Sequence, residues 1–297
     1  MSTGAVWLNG DVVERTDAKV SVFDAGIQHG VGLFETMTAV GGRVFRAREH
    51  VARLAASARE LGLSESIKER PLSQAIEMVA QRSGLERSRI RLTITGGDLN
   101  MLASTGQGPV DPTVLIVAQP ATRYPDEMFS RGVGVTIADP RINPLNPFEG
   151  HKTLNYWMRL RALQAAAASG AGESIFLQVT NHLAGGAVSN VFLVNDGALL
   201  TPIAHGEEEQ GALPSPVLPG ITRRTIIELA DAMGVGCGRR MLTVDDLLDA
   251  DEVFLTNSSW GVLPVVRVEA KPIGDGAPGE IARELRGKWV EAVEEQG

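Results

Sequence analysis

Apolar residues at Val6-Trp7-Leu8 and Val12-Val13 flank Asn9-Gly10. Asn-Gly suits the positive-φ turn of a two-residue hairpin, so this stretch predicts paired strands. Leu33 to Val40, then Gly41-Gly42, then Arg43 to Arg46 predicts a second hairpin. From about Arg48 to Leu61 the period becomes helical. Val51, Leu54, Ala55, Ala58 and Leu61 fall on one face, and Gly62 supplies the stop. A second helix is expected from Pro71, suited to a first turn, to Gly84. Ile90 to Thr95 and Val114 to Ala118 read as strands. Hairpins mixed with helices predict an α+β domain over residues 1–119.

Gln119 to Pro125, rich in turn formers, reads as a linker, placed at 120–126. Beyond it, Val133 to Ile137, Ser174 to Val179, Val191 to Val194 and Glu252 to Thr256 are expected strands. Leu154 to Ser169, Thr222 to Met233 and Glu280 to Glu294 are expected helices. Thr243 with Asp246 predicts a capped start for a short helix. Residues 127–297 would thus form an α/β domain, making the chain α/β overall in two domains. Gly206-Glu207-Glu208-Glu209-Gln210-Gly211 reads as a solvated loop, or else as a charged lid.

At 297 residues the chain can bury a large core. Its net charge of -8 argues against general binding to nucleic acid or an anionic membrane. Cys237 is the single cysteine, so neither an internal disulfide nor a cysteine metal cluster is available, and no His/Cys spacing predicts a metal site. Cys237 reads as a small packing residue. Met1 to Val20 holds no apolar run with a cleavage site, and no stretch is apolar enough to span a bilayer. A cytoplasmic protein is expected.

Four features carry candidate chemistry. Lys152 follows the irregular Pro140 to Pro147 stretch and precedes an Ala-rich helical pattern. A lysine held at a loop-to-helix junction can shed part of its hydration, and a free amine lone pair is what Schiff-base formation requires. Arg53 lies four residues after Glu49, so it either pairs with it on the surface or turns into a cleft and clamps a phosphate. Leu218-Pro219-Gly220-Ile221-Thr222-Arg223 leads into a helix. The N–H groups there and the Thr222 hydroxyl offer an anion site, or simply a cap. Thr256-Asn257-Ser258-Ser259-Trp260-Gly261 follows an apolar strand, where polar groups line ligand sites or form a turn. A reactive amine with phosphate-holding elements suits pyridoxal 5'-phosphate.

With these residues goes a resemblance. Asp24-Ala25-Gly26, His29 to Glu35, Glu49-His50 with Arg53-Leu54, Lys152 with Asn155, Ser189-Asn190-Val191-Phe192 and Leu218 to Arg223 stand in the order seen in class IV pyridoxal-phosphate aminotransferases. This family includes branched-chain and D-amino-acid aminotransferases and 4-amino-4-deoxychorismate lyases, and the likeness runs from the first hairpin to Pro264. It implies the two-domain fold of type IV cofactor enzymes, a homodimer, and a cofactor at the domain interface. It implies that Lys152 forms the Schiff base and moves the substrate proton. Arg53 would hold the phosphate, helped by Ile221, Thr222 and Ser258. Tyr156 would sit near the cofactor's phenolic oxygen, and Asn190 would belong to the cofactor site. His29, Phe34, Ser259 and Trp260 are expected to line the substrate pocket, His29 being alternatively a core histidine.

The chain departs from that pattern in three places. Members carry a glutamate five residues before the asparagine of Ser189-Asn190, and its carboxylate binds the pyridine nitrogen. Here that position is Gly185, with no acid between Ser174 and Asn195. Such a charge-assisted bond is worth roughly 1.5–3 kcal/mol, so its loss costs about tenfold to a hundredfold in rate. Gly185 would leave room for a water or a displaced side chain, and His182 could compensate. Thr95-Gly96-Gly97 lacks the arginine that grips the substrate carboxylate in D-specific members, and His29-Gly30 only partly matches the Tyr-Gly motif of branched-chain members. The expected activity is transamination between an amino acid or related amine and a 2-keto acid such as 2-oxoglutarate. The alternatives are a lyase on the same scaffold and a weakly active cofactor-binding protein.

Overall fold

The first hairpin closes as its turn chemistry requires. Asn9 and Gly10 take positive φ (48° and 114°) between β1 (Val6–Leu8) and β2 (Asp11–Val13). In this computed structural model, which describes residues 5–98 and 111–296, the chain divides into two compact units. The first comprises residues 1–122, 151–155 and 293–297. It continues with α1 (Ala25–His29), β3 (Gly32–Val40), β4 (Arg43–Val44), α2 (Ala47–Glu60), α3 (Glu69–Arg82), β5 (Arg87–Thr95) and β6 (Val114–Pro120). Its six strands run in the order β2-β1-β6-β5-β3-β4, every pair antiparallel. Met37, Ile90 and Leu92 on one sheet face meet Val51 and Leu54 of α2 and Ile76 of α3. Pro71 stands in the first turn of α3, which starts two residues before it, at Glu69.

The second unit comprises residues 123–150 and 156–292. It holds α4 (Glu127–Ser130), β7 (Val133–Ile142), α5 (Trp157–Ala168), β8 (Glu173–Gln178), β9 (Leu183–Gly186), β10 (Asn190–Asn195) and β11 (Ala198–Thr201). These are followed by α6 (Ile221–Ala232), β12 (Cys237–Arg239), α7 (Val244–Leu248), β13 (Glu252–Asn257), β14 (Gly261–Val268), β15 (Lys271–Pro272) and the part of α8 (Glu280–Gln296) that precedes Val293. The sheet runs β12-β11-β10-β13-β14-β7-β8-β9, with β15 on β14. It is mixed: β7 lies parallel to both β8 and β14. Thr243 and Asp246 form the expected reciprocal cap of α7.

Two differences from the sequence reading matter for chemistry. The helix expected from Leu154 begins only at Trp157. Residues 151–155 form no helix and join β3 through one antiparallel bridge at Thr153: Phe34 N donates to Lys152 O at 3.0 Å and Leu154 N to Gly32 O at 2.9 Å. Strand pairing therefore wins over the local helical pattern. The lysine expected to belong with the C-terminal domain packs in the first unit for the same reason. Among the described residues, no helix is long and apolar enough to cross a membrane.

Candidate active site

In the first unit, Lys152 is half-buried and its Nζ lies 4.5 Å from the centroid of the buried Phe34 ring. The Arg91 guanidinium lies over the same ring at 3.4 Å, a cation–π contact. Period-two alternation explains the grouping. Phe34 pairs with Thr93, and Arg91 pairs with Thr36, so these side chains occupy the sheet face opposite the Met37–Ile90–Leu92 core. The sequence reading missed Arg91, although the alternation of Arg87-Ser88-Arg89-Ile90-Arg91-Leu92 is its signal.

Arg53 does not pair with Glu49, which instead meets Arg46 at 3.2 Å. Its Nε and Nη2 donate to the two carboxylate oxygens of Glu35 at 2.8 and 2.6 Å, and His50 Nδ1 meets Glu35 Oε2 at 2.7 Å. An ionised carboxylate only accepts, so Nδ1 carries the proton. Glu35 and His50 are 1% and 2% exposed, which makes this a desolvated network rather than a surface pair. Burial by itself would raise the Glu35 carboxyl, but Arg53 and His50 overcome it and hold the group at about 2. Burial keeps His50 below its ordinary range against the pull of Glu35. Glu35 has no role in the sequence reading; its partners lie 15 and 18 residues away. His29 is exposed at the end of α1, which removes its core alternative.

In the second unit the start of α6 is a built cradle. No side chain caps its first turn, whose N-cap is Gly220. Asn190 Nδ2 donates to Leu218 O at 2.8 Å and pins the preceding turn, while a Cβ on Gly220 would collide with Asn190 Oδ1. The Thr222 and Ser258 hydroxyls approach to 3.4 Å beside the backbone of Ile221. N–H groups, two hydroxyls and a backbone with no bulk suit a phosphate. Asn190 acts by shaping that turn. Arg223 is 2% exposed and forks onto Glu207 at 2.8 and 2.7 Å, so it anchors the acidic loop. That loop is therefore bonded into the fold at Glu207 rather than merely solvated.

Tyr156 is half-buried at the N-cap of α5. Ser259 Oγ meets Tyr124 Oη at 2.8 Å, and Trp260 turns into the core, 7% exposed and edge-on to Tyr124. The Trp260 side chain, which follows the β13 strand end, thus packs with the core of the second unit. His182 turns to the Thr180 hydroxyl at 3.0 Å in the turn between β8 and β9 and does not replace the missing acid.

Gly185 is not an empty place for a displaced acid. Its φ is +115°, and an added Cβ would stand 2.9 Å from Ser189 O. A bulge in the β8–β9 pairing, where Phe176 faces Gly185 but Leu177 faces Leu183, produces this conformation. The carboxylate nearest the turn comes from Glu173, one residue before the acid-free interval that begins at Ser174. Its oxygens accept from Ser174 N at 2.9 Å, Ala187 N at 3.2 Å, Val188 N at 3.2 Å and Ser189 Oγ at 3.0 Å. Burial pushes its pKa up, against those donors. With four donors on a wholly buried group, Glu173 is committed to holding the 187–189 turn.

Residues 32–268 match the family model for amino-transferase class IV. The chain is 31% identical over 287 residues to a putative branched-chain-amino-acid aminotransferase of Methanocaldococcus jannaschii, covering 96% of this chain and 94% of that one. It superposes on the Escherichia coli branched-chain amino acid aminotransferase at a TM-score of 0.86 and 30% identity, covering 97% and 93%. The 4-amino-4-deoxychorismate lyase of Pseudomonas aeruginosa gives 0.80 and 27%, covering 96% and 98%. Another branched-chain enzyme of the same fold was solved with pyridoxamine 5'-phosphate. The match across most of the chain joins what the lysine, the phosphate cradle and the two-unit fold already indicate: this protein is an enzyme of the class IV aminotransferase family, which works with pyridoxal 5'-phosphate.

Proposed function

We propose that the enzyme moves an amino group from an amino acid or related primary amine to a 2-keto acid, with the cofactor attached to Lys152. The observation that carries this reading is the position of Lys152. Its amine lies on a non-helical segment bonded to β3, against an aromatic face and beside a second cation. Arg53, Ile221, Thr222 and Ser258 hold the phosphate in this reading, with Glu35 and Asn190 positioning that set. Bound there, the cofactor supplies an electron-withdrawing ring that acidifies the substrate's Cα–H. With the group bound, Lys152 would accept the substrate's Cα proton and hold it within reach of the same site as acid/base. Arg91 gives this sheet face a charge suited to a carboxylate, which supports a dicarboxylic acceptor such as 2-oxoglutarate.

The likeness to the lyase favours one competing reading, cleavage of aminodeoxychorismate to 4-aminobenzoate and pyruvate. A single-turnover experiment separates the two. Amino acid alone should yield keto acid and pyridoxamine phosphate in equal amounts. Pyruvate released from aminodeoxychorismate, with no pyridoxamine phosphate, would identify the lyase instead.

A homodimer in the cytoplasm completes the proposal. Val22, Phe23 and Ile27 in the first unit are 69%, 62% and 60% exposed, and Leu145 and Trp157 in the second are 68% and 78% exposed. Apolar side chains this open to solvent support self-association. Sedimentation equilibrium should return twice the chain mass; a monomer at micromolar concentration would exclude the dimer.

A further inference from the structure

The turn at Gly185-Gly186 lacks a carboxylate, yet the fold brings a charged group to it. Arg159, in the first turn of α5, places its Cζ 5.5 Å from the Phe176 ring centroid, and Phe176 is the cross-strand partner of Gly185. Its Nη1 donates to Gly186 O at 3.4 Å, while Nη2 meets Glu149 Oε2 at 3.1 Å. The same Cζ lies 6.0 Å from the Tyr156 ring. Tyr156 and Arg159 are three residues apart, so they share a helix face and are offset by roughly 4.5 Å along the axis. Glu173 is spent on the 187–189 turn, and Gly185 leaves no backbone geometry for an acid.

We propose that Arg159 stands where relatives use a carboxylate, donating an N–H to the cofactor's pyridine nitrogen and holding that nitrogen unprotonated. A guanidinium stays charged at any pH the protein survives, so it presents donors only. A donor needs a lone pair to meet, and that lone pair exists only while the ring nitrogen is neutral. A neighbouring cation also disfavours a second positive charge, which lowers the nitrogen's pKa. Glu149 holds the guanidinium through Nη2 while Nη1 reaches the Gly186 carbonyl. The consequence is a ring that withdraws electrons less strongly, so removal of the Cα proton limits turnover.

This inference rests on the cofactor assignment above, and its test reads both separately. The full-length enzyme is reconstituted with pyridoxal 5'-phosphate labelled with ¹⁵N in the ring. Borohydride trapping and peptide mapping first establish attachment at Lys152; its absence overturns the function reading and this inference together. With attachment confirmed, the ring nitrogen should resonate in the neutral-pyridine range and stay there across neutral pH. A pyridinium resonance in the native enzyme overturns the inference and leaves the transaminase reading standing. Should that pyridinium then lose its proton in Glu149→Gln, the contact belongs to Glu149 instead. Arg159→Lys and Glu149→Gln should keep the neutral resonance, whereas Arg159→Gln should let the nitrogen titrate as acid is added. An unchanged resonance in Arg159→Gln would remove Arg159 from the role.

Discussion

Lys152→Ala should abolish both borohydride trapping of the cofactor and amino transfer, with turnover reduced on the order of 10⁴-fold or more. General acid–base catalysis by one positioned group is worth about 10²- to 10⁴-fold, and covalent attachment adds to that. The substitution should cost little stability. The segment's hydrogen bonds with β3 run through backbone atoms, Phe34 N to Lys152 O and Leu154 N to Gly32 O, and alanine preserves those, losing only the amine's contact with the Phe34 ring. The thermal midpoint should therefore stay near the native value while activity disappears. Lys152→Arg makes a useful companion: it keeps the charge over Phe34 but supplies no neutral amine, so it should be as inactive as the alanine variant. Turnover within tenfold of native in either protein would show that another group does the chemistry.

Arg53→Met should be costly in two ways at once. It takes the guanidinium from the Glu35 carboxylate, 1% exposed, and leaves that charge against His50. Removing one member of a buried ion pair typically costs about 3–5 kcal/mol, which chemical denaturation would read directly. In the proposed site it also removes a cation from the phosphate, for about tenfold to a hundredfold weaker cofactor binding. The pH dependence distinguishes the network from general packing. Glu35 is held at about 2, below the value of a free carboxyl, so its contribution is present above the range in which the unfolded group ionises. That contribution fades as acid carries the solution from about pH 4.5 toward pH 2. In Arg53→Met the depressed pKa is lost, and this acid limb of the stability curve should flatten. An unaltered limb would mean that other carboxylates dominate acid unfolding.

Much of the fold follows from local pattern. The two hairpins, α2, α3 and the α7 cap all form near where periodicity and turn chemistry put them, because each depends on residues within a few positions of one another. The same holds for the turn that opens α6. A Pro-Gly turn running into a helix start is a local motif, and it folds as one. Strands β9, β11, β12 and β14 went unread for the complementary reason. They are short or contain glycine and proline, and the pairing that makes them strands comes from neighbours far along the chain.

The candidate site residues divide along the same line. Lys152 was legible by residue type and neighbourhood, whereas its setting was not: an Ala-rich stretch promises a helix, and only hydrogen bonds to β3 hold the lysine in a non-helical segment. Arg53 was legible as a candidate anion clamp, but Glu49, four residues away, is the partner a helix pattern favours, and Glu35 enters only because β3 packs beside α2. Gly185 could be recognised as a missing acid from order alone. That its backbone refuses a side chain, that Glu173 is consumed beneath the next turn, and that Arg159 arrives from α5 all depend on strand register and helix placement. The order of residues was enough to place the hairpins, α2, α3 and the capped start of α7 and to single out one amine as the reactive candidate, since those are short-range properties. Which charges face one another emerged only from the packed chain, because burial strengthens each pairing after distant segments have met.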